Sequence, residues 1–220
     1  LELGGTELHL LNVLPEVNQA PLEIMVYAMR GGGRLQASFE HAGIRIISPA
    51  HHSRRWLGLA RTAWHLLATW RRERPRIVHF FLPEAYVLGG LCSVLAPRCR
   101  RIMSRRSLND YQRKWPGVRT LERWLHARMD AVLANSSAVA QELAGEGVAP
   151  SRLAVLYNGV PPHHADPAAA AALRRGCAID GDAVVFVMVA NLIAYKGHAD
   201  VIAALGLARD ALPAKWAMLF

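Results

Sequence analysis

Short apolar runs rich in β-branched residues alternate along the whole chain with longer segments of helical period, and that alternation leaves few folds open. A strand that is followed by a helix returns most easily to pair in parallel with its predecessor, so βα order throughout predicts a parallel sheet covered by helices. Strands are expected over 23–29, 43–48, 76–81, 101–104, 131–135, 153–157, 183–190 and 216–220. Helices are expected over 6–14, 34–41, 55–73, 84–95, 118–128, 137–145, 168–176 and 196–212. No repeat of fixed period interrupts the order, and with 52% hydrophobic and 20% charged residues the chain can bury a core and is not disordered. The fold class is α/β.

Asn158 to Pro167 continues neither a strand nor a helix, because Pro161, Pro162 and Pro167 fix φ and remove backbone donors. We place a domain boundary there: residues 1–160 form one α/β domain, and 161–220 hold a linker and the start of a second. The second piece contains the strongest strand pattern, Ala183 to Ala190, and is too short to close a core of its own. The chain starts at Leu1 and stops in the apolar run Trp216 to Phe220, so it reads as a piece of a longer protein whose first strand is missing.

Of a net charge of +9, the segment 51–130 carries 17 basic and 5 acidic residues, which leaves the remainder slightly acidic. Such a segment suits nucleic acid, anionic lipid headgroups or phosphorylated small molecules. No helix-turn-helix, zinc-finger or RNP pattern is present to read bases, so nucleic acid is not expected as a partner. Cys92, Cys99 and Cys177 lack C-x-x-C or metal-ligand spacing, which argues against a disulfide scaffold or a zinc site and suits a reducing cytoplasm. No apolar run reaches the ~18 to 20 residues of a membrane span. The run Arg54 to Arg72 places Trp56, Leu59, Ala60, Ala63, Leu66, Leu67 and Trp70 on one helical face with arginines at both ends. That is a sheet-covering helix first, and an edge for an anionic membrane surface second.

Five places carry candidate chemistry. Gly4-Gly5 precedes a helix start, where free N–H groups meet an anion and the missing side chains allow close approach, although a plain tight turn explains Gly-Gly equally well. Gly31-Gly32-Gly33 fails G-x-G-x-x-G and reads as a flexible turn. His79 ends a strand, on the sheet edge where open α/β sheets bind ligands. Arg105 and Arg106 end the next strand and can clamp a carboxylate or phosphate, whereas Arg100 and Arg101 read as a solvated cluster. Asn191 to His198 places Lys196-Gly197 at a helix start, a reasonable diphosphate contact.

In this order and spacing, Gly4-Gly5-Thr6-Glu7, Arg76-Ile77-Val78-His79, Ala134-Asn135-Ser136-Ser137, Tyr157-Asn158-Gly159-Val160 and Asn191 to His198 resemble the glycosyltransferases of family 4, over essentially the whole chain. The resemblance implies a GT-B fold, with two Rossmann-like domains facing a cleft. It implies that the first holds a glycan or lipid-linked acceptor and the second a nucleotide-diphosphate-sugar. It implies retention of configuration without a catalytic metal or other cofactor, the leaving diphosphate being stabilised electrostatically. By this likeness Gly4, Gly5, Asn191, Lys196 and Gly197 are donor-binding, and His79, Arg105 and Arg106 acceptor-binding. Three departures stand out. Asn191 occupies the place of a customary arginine, Arg106 is nearest the place of the family's active-site histidine, leaving the catalytic group unassigned, and the Glu-x7-Glu segment lies outside these residues. The chain alone is therefore expected to turn over poorly, at the cytoplasmic face of a membrane. A different class of function, a non-catalytic acceptor-binding or membrane-docking module, fits the basic segment.

Overall fold

Every strand pairing in the computed structural model is parallel. The structure describes all residues except 19–21, 50–54, 97, 109–111, 113, 114, 161 and 163, and for 55–57 and 116 the backbone only. The described residues divide into two compact units, 1–161 and 162–220.

Unit 1 runs α1 (Gly5–Val17), β1 (Met25–Tyr27), α2 (Gln36–His41), β2 (Arg45–Ile47), α3 (Arg55–Glu73), β3 (Ile77–Phe81), α4 (Pro83–Leu95), β4 (Arg100–Arg105), α5 (Pro116–His126), β5 (Ala131–Ala134), α6 (Ser137–Gly145) and β6 (Leu153–Val155). β1 pairs with β2, and β3-β4-β5-β6 form a four-stranded sheet in sequence order. Phe81 lies opposite Ser104, Arg105 opposite Ala134, and Ala134 opposite Val155, so the carboxyl ends of these strands share one edge.

β2 and β3 form where Val, Ile and Phe cluster, because branched and aromatic side chains pack well on a pleated surface. Helices α4, α5 and α6 cover the sheet by burying Tyr86, Leu125, Val139 and Leu143 against Phe80, Met103 and Val132. Each such side chain contributes roughly 1.5–3 kcal/mol through area removed from water. Close approach is bought by two glycines of α4. A Cβ at Gly89 would lie 2.5 Å from the Phe80 ring, and one at Gly90 2.9 Å from Leu125. A smaller cluster of Leu35, Phe39 and Ile44 packs against Leu1 and the apolar stripe of α1. Gly33 (φ 99°) belongs to this contact: a Cβ there would collide with the Leu1 backbone. Gly33 is therefore fixed by packing, whereas Gly32 (φ 81°) has open space beside it, as in a turn.

In α3, Trp70 is buried and Leu66 packs on the core, whereas Leu59 and Trp64 are exposed. The core-facing reading thus holds over the carboxyl half of the helix. Arg54 and the side chains of Arg55 and Trp56 lie outside the described residues.

Unit 2 contains α7 (Pro167–Gly176), β7 (Val184–Val187), α8 (His198–Leu207) and β8 (Trp216–Leu219), with β7 and β8 paired. Asp166 caps α7, its carboxylate accepting from the N–H groups of Ala168 and Ala169 at 2.9 and 3.1 Å. The helix expected over 196–212 is broken at both ends. Ala194–Lys196 form a 3₁₀ turn, Gly197 takes φ 79°, and Arg209–Ala211 form a second 3₁₀ turn before Pro213. A proline pushes the residue before it out of the α region, and Leu212 is extended (ψ 150°). Among the described hydrophobic residues of this unit only Ala183 is buried.

Candidate active site at the carboxyl edge of the sheet

His79 sits two residues before the end of β3, partnered with Ile102, and its Nε2 is 2.7 Å from the Ser104 hydroxyl of β4. Its ring also lies 4.1 Å from that of Phe81. Burial, aided by the positive charge of Arg106, depresses its pKa to about 4, so the imidazole is neutral near pH 7. Leu82, which links β3 to α4, holds φ 68°, a left-handed conformation that costs a non-glycine residue of order 1–3 kcal/mol and marks this corner as constrained.

Arg106 follows β4 directly. Its Nη2 donates to Asn158 Oδ1 at 2.8 Å, and its carbonyl accepts from Asn135 Nδ2 at 3.1 Å. Three words of the sequence, ending β4, β5 and β6, are thereby joined at one edge. His9, on α1, completes the group. Its pKa is lowered by burial and by Arg106, while a hydrogen bond to the Gly159 backbone works the other way. Sequence reasoning passed over His9. The available signal was its position one helical turn after Gly5, a polar residue in an otherwise leucine-rich stripe.

Arg105, expected with His79 and Arg106, does not belong to this cluster. It is 7% exposed, and its guanidinium donates to Glu122 (3.0 Å) on α5 and to Glu146 just after α6. Around it Gln112 donates to Glu122, and His126 bonds Glu146 at 3.0 Å and Tyr86 at 2.8 Å. The physical reason is strand alternation: successive side chains leave a strand on opposite faces, so adjacent arginines cannot both reach one ligand. Glu122, His126 and Glu146 offer three ligand atoms within 4.8 Å of one another, the spacing of a metal site. The Arg105 guanidinium already bridges both carboxylates and supplies the positive charge that a metal would bring.

The donor candidates fall in two places. Gly4 is the N-cap of α1 and the Glu7 carboxylate packs over it, in the space of a Cβ. Gly5 is open, with no atom within 4 Å of a Cβ placed there. An anion at this helix start therefore approaches Gly5 freely and must share Gly4 with Glu7. In unit 2, Asn191 accepts from Ile193 N through its carbonyl (2.7 Å), and Lys196 Nζ rests 5.1 Å from the Tyr195 ring centroid. Gly197 is the N-cap of α8 and supplies no side-chain cap, leaving the first N–H groups of that helix available. Asp200 lies close by, 3.3 Å from where a Cβ of Gly197 would stand.

Arg101 does not behave as a solvated charge. It donates to the Ser93 carbonyl at 3.0 Å, while Arg100 pairs with Asp130 at 3.1 Å. The three cysteines are free, and among the described residues no helix is long and apolar enough to cross a membrane.

A parallel α/β unit with polar side chains gathered at the carboxyl ends of its strands, followed by a second βα unit, is the architecture of the GT-B glycosyltransferases. Residues 3–164 match Glycosyltransferase Family 4, and the chain belongs to that family. Solved structures with the same fold include Anabaena Alr3699/HepE in complex with UDP-glucose (19% identity, TM-score 0.79, covering 98% of this chain and 57% of that one). A glycosyltransferase from Rickettsia africae is similar at 15% identity and TM-score 0.69, over 99% of this chain and 58% of that one. The lipopolysaccharide outer core galactosyltransferase WaaB, in its apo form, is similar at 15% identity and TM-score 0.60, over 99% and 57%. The chain thus spans under three fifths of the length of these structures. A search of curated protein sequences returned no match.

Proposed function

We propose that this chain is the acceptor-side domain and the beginning of the donor-side domain of a hexosyltransferase that uses a nucleotide-diphosphate-sugar. The observation that carries the reading is the convergence of His79, Ser104, Arg106 and Asn158 at the carboxyl edge of a sheet in a family 4 chain. That Alr3699/HepE has been crystallised with UDP and with UDP-glucose supports a uridine nucleotide as the first donor to try.

In the proposed reaction the bond between the anomeric carbon and the diphosphate oxygen breaks, and an acceptor hydroxyl oxygen takes its place on the same face, with retention. The acceptor is a glycan or lipid-linked sugar at the cytoplasmic face of a membrane. Lys196 and the open start of α8 neutralise the leaving diphosphate, so that no metal or other cofactor is required, and Gly4 and Gly5 are donor-binding in the same scheme. His79 and Arg106 bind the acceptor. Arg106 cannot take up the hydroxyl proton at neutral pH, because a guanidinium stays protonated. The departing diphosphate is the acceptor of that proton in this scheme.

The test is a panel of UDP-sugars against the 220-residue chain, read by calorimetry and by UDP release. Weak binding is expected, weakened about tenfold further in Lys196→Ala by loss of a charge-assisted contact, with turnover at background. Robust turnover by these residues alone would overturn the division of labour, and complete absence of nucleotide-sugar binding would overturn the donor assignment.

A second reading rests on α5. Its exposed face carries Arg119, Arg123, Trp124 and, just beyond, Arg128 stacked 3.4 Å over the Trp124 ring, while its one acid, Glu122, is buried. Arginine with tryptophan and no exposed acid suits an anionic headgroup layer. Flotation with phosphatidylglycerol vesicles, abolished by Arg119→Glu with Arg123→Glu, is the outcome that favours a membrane-docking role. Unchanged flotation in that variant removes it.

A further inference from the structure

Two adjacent arginines end β4 in opposite electrostatic circumstances. Arg105 is ion-paired with two buried carboxylates, whereas among the described residues no carboxylate lies within ion-pair distance of Arg106. Arg106 is nevertheless half-buried, and burial pulls its pKa down. Among the described residues its guanidinium donates to one amide oxygen, that of Asn158, which leaves further donors of the planar fork for a ligand. That fork fits the two oxygens of a carboxylate or phosphate. The imidazoles that share its field do not compete for the anion: His79 and His9 both have lowered pKa values, to which Arg106 contributes. An oxyanion placed between them would reverse that effect by cancelling the guanidinium charge.

We propose that Arg106, flanked by His9 and His79 and steadied by Asn158, binds an oxyanion, phosphate or carboxylate, carried by the acceptor. The substrate class is then an anionic sugar or sugar phosphate, not a neutral glycan. Calling the ligand an acceptor rests on the transferase reading above; the oxyanion site itself does not.

The test is the imidazole carbon–proton NMR signals of His9 and His79 in the 220-residue chain, followed at constant ionic strength while inorganic phosphate, glucose 6-phosphate, glucuronate, glucose or UDP is added. Saturable shifts of both signals are expected with the two phosphates and with glucuronate, and none with glucose. In Arg106→Met the half-saturating concentration rises at least about tenfold, the loss of one charge-assisted contact. In that variant both histidines also titrate at higher pH. Arg106→Lys, which keeps the charge but not the fork, falls between, and it replaces the methionine variant if the amide spectrum of the latter is not native. Arg71→Met, a remote control, is unchanged. A response to UDP alone assigns the anion to the donor and overturns the acceptor claim. No saturable response, or one that survives Arg106→Met, overturns the site. If UDP-sugar binding fails while the phosphate titration succeeds, only the transferase reading is lost.

Discussion

Unit 1 and unit 2 are built from the same βα vocabulary, yet they differ in what they manage to bury. The first encloses Phe39, Ile44, Leu125, Met129, Leu143 and Val132 almost completely. The second leaves Val187, Leu192 and Leu207 at 62%, 86% and 92% exposure and buries only Ala183 among its described hydrophobic residues. The difference is one of scale: a sheet of two strands with two helices has too much surface for its volume, whatever the quality of its strands. β7 reads as the best strand in the chain, and within these 220 residues, which span 57% of the HepE structure, little is buried behind it. Strand propensity is a local property, and burial is a collective one.

That contrast is open to direct attack. Arg105→Met should cost most, about 3–5 kcal/mol, because it leaves Glu122 and Glu146 buried without their guanidinium. Leu125→Ala follows at about 2–5 kcal/mol from the cavity it opens. Urea unfolding monitored through unit 1 amides measures both, and losses under 1 kcal/mol would mean that unit 1 owes its integrity to something else.

Acidification comes next. The pKa of His79 in the folded state, about 4, lies below its ordinary value, so the unfolded chain takes up a proton first as pH falls. Stability contributed by keeping this ring neutral is full above roughly pH 6.5 and drains away toward pH 4, by up to about 3 kcal/mol. In His79→Gln that part of the pH profile should be flat; an unchanged slope would place the titrating group elsewhere. The smallest effect is expected in unit 2, where Phe186→Ala should cost under about 1 kcal/mol, since its ring is already 37% exposed and leaves little cavity. Amide exchange should be correspondingly faster in β7 than in β4 and β5. Equal protection in the two units would erase the distinction between them.

Much of the fold was legible because the relevant signals are local. β2, β3 and β7 announced themselves by branched and aromatic residues, and the helix expected over 168–176 was legible from its composition and the proline before it. The errors have long-range or conformational causes. Arg105 looked like a ligand clamp because its counterions, Glu122 and Glu146, stand 17 and 41 residues away and only the packing of α5 and the end of α6 brings them under β4. The helix from 196 was overextended because apolar spacing continues through Leu212, while the positive φ of Gly197 and the constraint imposed by Pro213 act on the backbone and leave that spacing intact. His79 and Arg106 were legible from the rule that ligands gather at strand carboxyl ends; His9 was not, since nothing in α1 says that it will meet Gly159 and Arg106.

The pair of arginines at the end of β4 has one more consequence, for fidelity of assembly. Were the strand to dock one residue out of step with β5, Arg106 would be driven among Glu122 and Glu146, and Arg105 would take the place of Ser104 beside His79. Charge count would be conserved, but the change of side would also turn Met103 from the core and offer Ser104 in its place. The like charges thus act as an alignment key only in company with their apolar neighbour. A chain in which Met103 and Ser104 exchanged places would carry a key cut for the slipped register.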